Sequence, residues 1–133
     1  YYLSTKGADV DEAQKYLKQD LEEYVNRSKM VGNTKIDGEI AIAIGQKGKI
    51  YTRQELAKTA DLLLQFKGIK TSFAIGYLEK NKVGISTRSI TKLNAGKLME
   101  EFGGGGNKTE AAAIIENTSI KKIEEQISEK IRR

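Results

Sequence analysis

The spacing of apolar residues changes repeatedly along this chain, and that alternation restricts its fold more than any other feature. Residues 40–44 read Ile-Ala-Ile-Ala-Ile, in which large and small side chains alternate as they do in a buried strand. Elsewhere apolar residues recur every three or four positions, which places them on one face of a helix. The spacing predicts strands at 40–44, 49–52, 70–79, 82–89 and 111–117, and helices at 9–30, after Thr52, at 94–102 and after Ser119.

Local signals support several of these boundaries. Thr52 and Glu55 have the spacing of a capping box, and Gly68 is expected to end the helix that they begin. Thr118 or Ser119 is expected to cap the last helix. The first helix has an apolar face, which we expect to pack on the chain's own domain, with a dimer contact as the alternative; this face consists of Val10, Leu17, Leu21 and Tyr24.

Together these elements predict one α+β domain with α/β-like character. It should hold a mixed sheet of about five strands flanked by helices and preceded by a connector helix. We assign residues 1–33 to a linker and the connector helix, and residues 34–133 to the domain itself. A chain of 133 residues suits one domain and can bury roughly two thirds of its unfolded surface.

Composition excludes several kinds of site. The sequence has no cysteine and no histidine, which removes thiolate nucleophiles, disulfides and the commonest metal ligand and general base. Its aspartates form no close cluster with a recognisable ligand pattern. The longest aliphatic run, 40–44, is far shorter than the roughly 20 residues of a membrane-spanning helix, so we expect no membrane contact. A net charge of +5 favours anionic partners, without the basic stripe of a dedicated nucleic-acid binder.

Four consecutive glycines at 103–106 follow a predicted helix that ends at Phe102 and precede a predicted strand. Glycine has no Cβ, so it adopts positive φ readily and can turn several N–H groups toward one anion. A flexible connector is the simpler interpretation, but the flanking elements lie too close in sequence to belong to separate domains. We therefore predict that this run contacts a phosphate or a nucleotide.

Residues 84–94 bring polar groups close to the glycines in sequence. On a strand, Ser86 and Arg88 share one face. A guanidinium at the end of a strand can bind a phosphate through two parallel hydrogen bonds. Ser89 and Asn94 add neutral hydrogen-bonding groups.

An Arg-Ser pair, a downstream Asn, a glycine run and a following Ala-Ala resemble the C-terminal DHH-associated domain of the DHH phosphoesterase superfamily. The resemblance covers about residues 34–133. Three residues, 108–110, separate Asn107 from the two alanines, a spacing similar to that of the cyclic-di-AMP phosphodiesterases. The resemblance implies a set of substrate-binding residues: Arg88, Ser89, Asn94, Gly103, Gly104, Gly105, Gly106 and Asn107.

The resemblance also implies a role. The chain would be the lobe that closes over the substrate in an enzyme that hydrolyses a cyclic dinucleotide, cyclic di-AMP, to a linear dinucleotide. An upstream DHH domain would hold two manganese ions and all the catalytic groups, so no catalytic residue or metal ligand is expected in this chain. The lobe is expected in the cytoplasm, within a parent chain that is anchored to the membrane.

One position departs from the family pattern, because Asn107 stands where the family has histidine. An amide cannot become cationic or transfer a proton. A second interpretation therefore stays open, a non-catalytic module that binds a nucleotide or short single-stranded RNA, as a degenerate paralogue or an oligoribonuclease-like lobe. Single-strand binders usually offer aromatic stacking surfaces, and only Phe102 lies near the motif, which weakens the RNA interpretation. A homodimerisation domain is the third interpretation.

Overall fold

The computed structural model describes the backbone of residues 7–132 and the side chains of residues 20–132. The elements are α1 (Gly7–Gly32), β1 (Thr34–Asp37), β2 (Ile40–Ile44), α2 (Arg53–Leu63), β3 (Thr71–Glu79), β4 (Lys82–Ser89), α3 (Ala95–Glu100), β5 (Gly105–Gly106), β6 (Glu110–Glu116) and α4 (Ile120–Arg132). The predicted α+β class is confirmed, with a sheet of six strands rather than about five.

The strands form one mixed sheet in the order β1-β2-β3-β4-β6-β5. Strands β2 and β3 are parallel, and the other neighbouring pairs are antiparallel. Because parallel neighbours need a crossover connection, α2 lies between β2 and β3 in the chain. Strands β3 and β4 form the predicted hairpin, in which Phe73 pairs with Thr87 and Ile75 with Ile85.

Each face of the sheet has its own apolar core. On one face, α3 and α4 cover a cluster that includes Phe73, Ile85, Met99, Ile123 and Ile127. On the other, α1 and α2 cover a cluster that includes Met30, Tyr51, Leu56, Ala60 and Leu63. The isoleucines of β2 face the first cluster and its alanines the second, as their alternation predicted.

Residues 49–52 do not form the predicted strand. Ile50 makes a single parallel bridge to Tyr77 and no longer ladder. Both edges of β2 are already paired, one with β3 and the other with β1, which was not predicted. A strand returning beside β2 therefore has no edge to pair with.

The apolar face of α1 does not pack on the domain as predicted, over the part whose side chains are described. Leu21 is 61% exposed and Tyr24 is 60% exposed. The side of α1 that meets α2 instead carries Glu23, whose Oε1 lies 2.8 Å from Lys58 Nζ, and further along the buried Met30. In the part of α1 whose side chains are described, an ion pair and the last turn thus hold the helix against α2, rather than Leu21 and Tyr24.

Val10 and Leu17 of the predicted apolar face lie outside the described side chains, and the part of the predicted linker before Gly7 lies outside the described residues. Among residues 7–132, no helix combines the length and the apolar composition needed to cross a bilayer.

Candidate functional site

A groove lies on the sheet face beside α2. Helix α2 packs over β2, β3 and β4, and the groove opens where β6 and β5 continue past it. Two adjacent cavities of about 260 Å³ and 450 Å³ make up this groove, which we call the glycine groove. Residues that line both cavities are Arg53, Ser86 and Ala112, with Gly103 and Gly104 in the smaller one and Arg88, Gly105 and Gly106 in the larger one.

The glycine run is built into the fold at every position. The amides of Gly103 and Gly104 donate to the carbonyls of Glu100 and Met99 at the end of α3, at 3.0 Å and 2.8 Å. Gly105 and Gly106 form β5, opposite Ala112 and Ala111 of β6. Since their N–H groups are already bonded, Gly103 and Gly104 contribute to the groove through shape rather than through free donors.

Two of the four glycines are required by close backbone approach. A Cβ on Gly104 would lie 2.7 Å from the Cα of Ala113, and a Cβ on Gly106 would lie 2.5 Å from the Cα of Ala111. Around Gly105, in contrast, an added Cβ would meet nothing within 4 Å. Along the run, positions packed against β6 (Gly104 and Gly106) therefore alternate with positions at which an added Cβ would meet no neighbour (Gly103 and Gly105).

Arg88 lies one residue before the end of β4 and lines the larger cavity. Its side chain is 12% exposed. Its Nε donates to Asp61 Oδ1 at 2.6 Å and lies 3.6 Å from Glu110 Oε1, while Nη1 donates to the carbonyl of Thr87. Two carboxylates thus fix the orientation of the guanidinium and offset part of its charge.

Ser89 and Asn94 have positions that shape the neighbouring loops. Ser89 is 1% exposed, and its hydroxyl lies 3.3 Å from the hydroxyls of Thr71 and Thr91. Asn94 is the N-cap of α3, where its Oδ1 accepts from the amide of Lys97. Neither side chain lines the glycine groove, so the structure brings Arg88 and the glycines together but not these two residues.

Asn107 organises the turn into β6. Its Oδ1 accepts from the amide and hydroxyl of Thr109 and from the amide of Glu110, at 2.9–3.0 Å. Its own carbonyl accepts from Gly96 at the start of α3, and the amide of Ala95 donates to Lys108. The amide oxygen of Asn107 therefore serves the fold of this turn.

Sequence reasoning missed Arg53, which lines both cavities from the first position of α2. The Thr52–Glu55 capping box located this helix start correctly. Only the tertiary packing of α2 across the sheet, however, brings Arg53 to the same groove as Arg88. The sequence around Arg53 does not indicate that this residue lies in the same groove as Arg88.

The sequence comparisons agree with the resemblance. The profile of the DHHA1 domain matches residues 37–133. The cyclic-di-AMP phosphodiesterase GdpP of Geobacillus thermodenitrificans is 38% identical over 131 residues, covering 98% of this chain and 20% of that protein. The cyclic-di-AMP phosphodiesterase PdeA of Listeria monocytogenes is 34% identical over 128 residues, covering 95% of this chain and 19% of that protein. The chain thus spans about a fifth of the length of these curated relatives.

Among solved structures, the pGpG-specific phosphodiesterase PggH of Vibrio cholerae superimposes with a TM-score of 0.64 at 17% identity. The match covers 96% of this chain and 44% of that protein. At this identity the likeness supports the fold alone.

Proposed function

Because the chain belongs to the DHHA1 domain family, we propose that it is the substrate-binding lobe of a phosphodiesterase that hydrolyses a cyclic dinucleotide. Cyclic di-AMP is the substrate we favour, since two relatives of at least 34% identity are named for it. The product would be the linear dinucleotide. One structural observation carries the proposal: Arg88 and the glycine run meet in a single groove.

The chemistry of the groove suits a phosphodiester. A guanidinium offers planar paired donors to phosphate oxygens, and the glycines let a nucleotide approach the main chain without side chains in the way. The larger cavity, about 450 Å³, lies in the size range of small-molecule sites, and the smaller one, about 260 Å³, adjoins it. In this proposal Asn107, Ser89 and Asn94 hold the walls of the groove in place.

Manganese, which the family resemblance assigns to an upstream DHH domain, does not fit the residues of this chain. The sequence has neither histidine nor cysteine. Within the described residues, no three acidic side chains come together as a metal site. We therefore propose that hydrolysis requires the DHH domain as partner, and that this chain binds the dinucleotide without cleaving it, even when manganese is supplied.

The test is a calorimetric titration of the chain with cyclic di-AMP. Replacing Arg88 with alanine removes a charge-assisted phosphate contact and should weaken binding roughly 10- to 100-fold. Arg27→Ala is the matched control, because Arg27 pairs with Glu23 on α1 and does not line the groove. Thermal unfolding of each variant verifies that it is folded.

Two results would count against the proposal. If the chain fails to bind cyclic di-AMP at millimolar concentration, the lobe does not supply substrate affinity. If short single-stranded RNA binds more tightly than cyclic di-AMP, the chain is an oligonucleotide-binding module instead.

A further inference from the structure

We infer that Arg53 is a second phosphate-binding residue of the glycine groove, an inference that rests on the proposed function. Arg53 is the first residue of α2 and lines both cavities, whereas Arg88 lines only the larger one. A ligand that extends from one cavity into the other must therefore pass this side chain. The two arginines reach the groove from different elements, one from a helix start and one from a strand end.

The two arginines differ in how their charge is compensated. Arg88 is mostly buried and held by Asp61 and Glu110. Arg53 is exposed, and its side chain makes no ion pair or hydrogen bond with the part of the chain whose side chains are described. An anion can therefore bind the Arg53 guanidinium without first displacing a carboxylate.

The position of Arg53 is not explained by helix stability. A cation in the first turn of a helix lies near the positive end of the helix dipole, where it is unfavourable. The cap is already complete without it, because Thr52 Oγ1 accepts from the Glu55 amide and Glu55 Oε1 accepts from the Thr52 amide. Arg53 adds nothing to that cap, whereas it does add to the groove a guanidinium that has no ion-pair or hydrogen-bond partner among the side chains of residues 20–132.

Arg53 and Arg88 suit different tasks, because Arg88 is held by two carboxylates and Arg53 is exposed. A guanidinium held by two carboxylates has a defined orientation, as binding at a fixed point of the groove requires. A long, exposed side chain can follow the ligand and needs no partner until the phosphate arrives. We therefore assign orientation of the ligand to Arg88 and additional phosphate affinity to Arg53.

The experiment compares Arg53→Ala with the unaltered chain by calorimetric titration with cyclic di-AMP. We expect binding to weaken about tenfold, with unfolding temperature unchanged or slightly raised because the dipole conflict is removed. Lys58→Ala is the matched control, since Lys58 carries the same charge on the same helix but pairs with Glu23 on the side facing α1. Its removal should leave affinity unchanged.

Salt concentration gives a second readout that a purely structural role would not affect. Between about 0.05 M and about 0.5 M salt the Debye length falls roughly threefold. The affinity ratio between the unaltered chain and Arg53→Ala should therefore shrink as salt rises. An Arg53→Lys variant keeps the charge but loses the planar fork, and should lie between the two.

The outcomes separate this inference from the proposed function. If the unaltered chain binds and Arg88→Ala weakens binding but Arg53→Ala does not, Arg53 has no role in the site and only this inference fails. The same holds if Arg53→Ala weakens binding by a factor that salt does not change. If the unaltered chain does not bind at all, the proposed function fails and the inference fails with it.

Discussion

Gly104 and Gly105 are neighbours with opposite structural demands. An added Cβ on Gly104 would lie 2.7 Å from a backbone atom of β6, whereas one on Gly105 would meet open space. Overpacking against backbone typically costs about 1–3 kcal/mol. We expect Gly104→Ala to lower the free energy of unfolding by about 2–3 kcal/mol in urea denaturation.

Gly105→Ala is the matched control for that substitution. It should change the free energy of unfolding by less than about 1 kcal/mol, because no neighbour has to move. Equal effects of the two variants would show that β5 does not lie against β6 as described.

Asn107 has an effect that can be separated from any contact with a ligand. Its Oδ1 accepts three hydrogen bonds within the turn, so Asn107→Ala should lower the free energy of unfolding by about 1–2 kcal/mol. It should also speed hydrogen exchange at the amides of Thr109 and Glu110. Asn107→Asp, which keeps an acceptor oxygen at the same place, should preserve both properties.

Unchanged exchange at those two amides in Asn107→Ala would contradict this role. Asn107→His is informative in the same assay, since an imidazole cannot replace all three acceptor contacts. The hydrogen bonds of this turn thus depend on an acceptor oxygen at position 107.

The start of α2 depends on Thr52. Its capping box with Glu55 is present in both directions, so Thr52→Ala should lower the free energy of unfolding by about 1 kcal/mol, measured by chemical denaturation. Thr52→Ser retains the hydroxyl and should restore most of the loss. If serine destabilises as much as alanine does, packing of the threonine methyl rather than capping explains the effect.

Capping signals and apolar spacing were sufficient for most elements. They located α2, α3 and α4 and the strands β2, β3, β4 and β6, although α2 ends at Leu63 and not at Gly68 as predicted. The cap predicted at Ser119 is present, with its hydroxyl accepting from the amide of Lys122. The helices and β6 carry a periodicity that indicates which face is buried, whereas β3 and β4 are covered on both faces of the sheet and are buried along most of their length.

The elements that sequence missed owe their structure to a neighbour. Strand β1 has no apolar alternation and is mostly exposed, so only pairing with β2 makes it a strand. Strand β5 consists of two glycines, which no strand propensity indicates, and it exists because β6 lies beside it. The prediction for the apolar face of α1 was wrong at Leu21 and Tyr24, because spacing indicates an apolar face but not which element packs against it.

The candidate site was predictable in part. The order of strand, Arg-Ser, helix and glycines placed Arg88 near the glycine run, and the two do share a groove. The contribution of Arg53 depends on how α2 crosses the sheet, which is a tertiary fact. The role of Ser89 depends on Thr71, 18 residues away in sequence, and could not be predicted. Asn94 caps α3 through the amide of Lys97, only three residues further on, so its role is a local one.

The two apolar cores are built on the strands of one sheet, so we expect them to unfold together. Residues of β2 and β3 contribute alternately to both clusters. We expect a single cooperative unfolding transition, as small domains usually show. The chain has no tryptophan, so Phe102→Trp beside α4 and Leu64→Trp beside α2 give separate fluorescence probes of the two sides.

The unfolding midpoints of those two variants, each compared with its own far-UV circular dichroism transition, should coincide. A side that unfolds earlier by fluorescence than by circular dichroism would mean that the sheet does not couple the cores. In that case the stability effects predicted for Thr52 and Gly104 would report on different halves of the protein.

Helix α3 holds the glycine run from both directions. Its last turn accepts the amides of Gly103 and Gly104, and its first two amides donate to the carbonyls of Lys108 and Asn107. Hydrogen bonds to α3 therefore fix both ends of the segment 103–108. Adding or deleting one residue would exchange its packed and open positions, so its length is constrained as strictly as its composition. A ligand would meet a wall whose shape is set beforehand and would lose little affinity to ordering it.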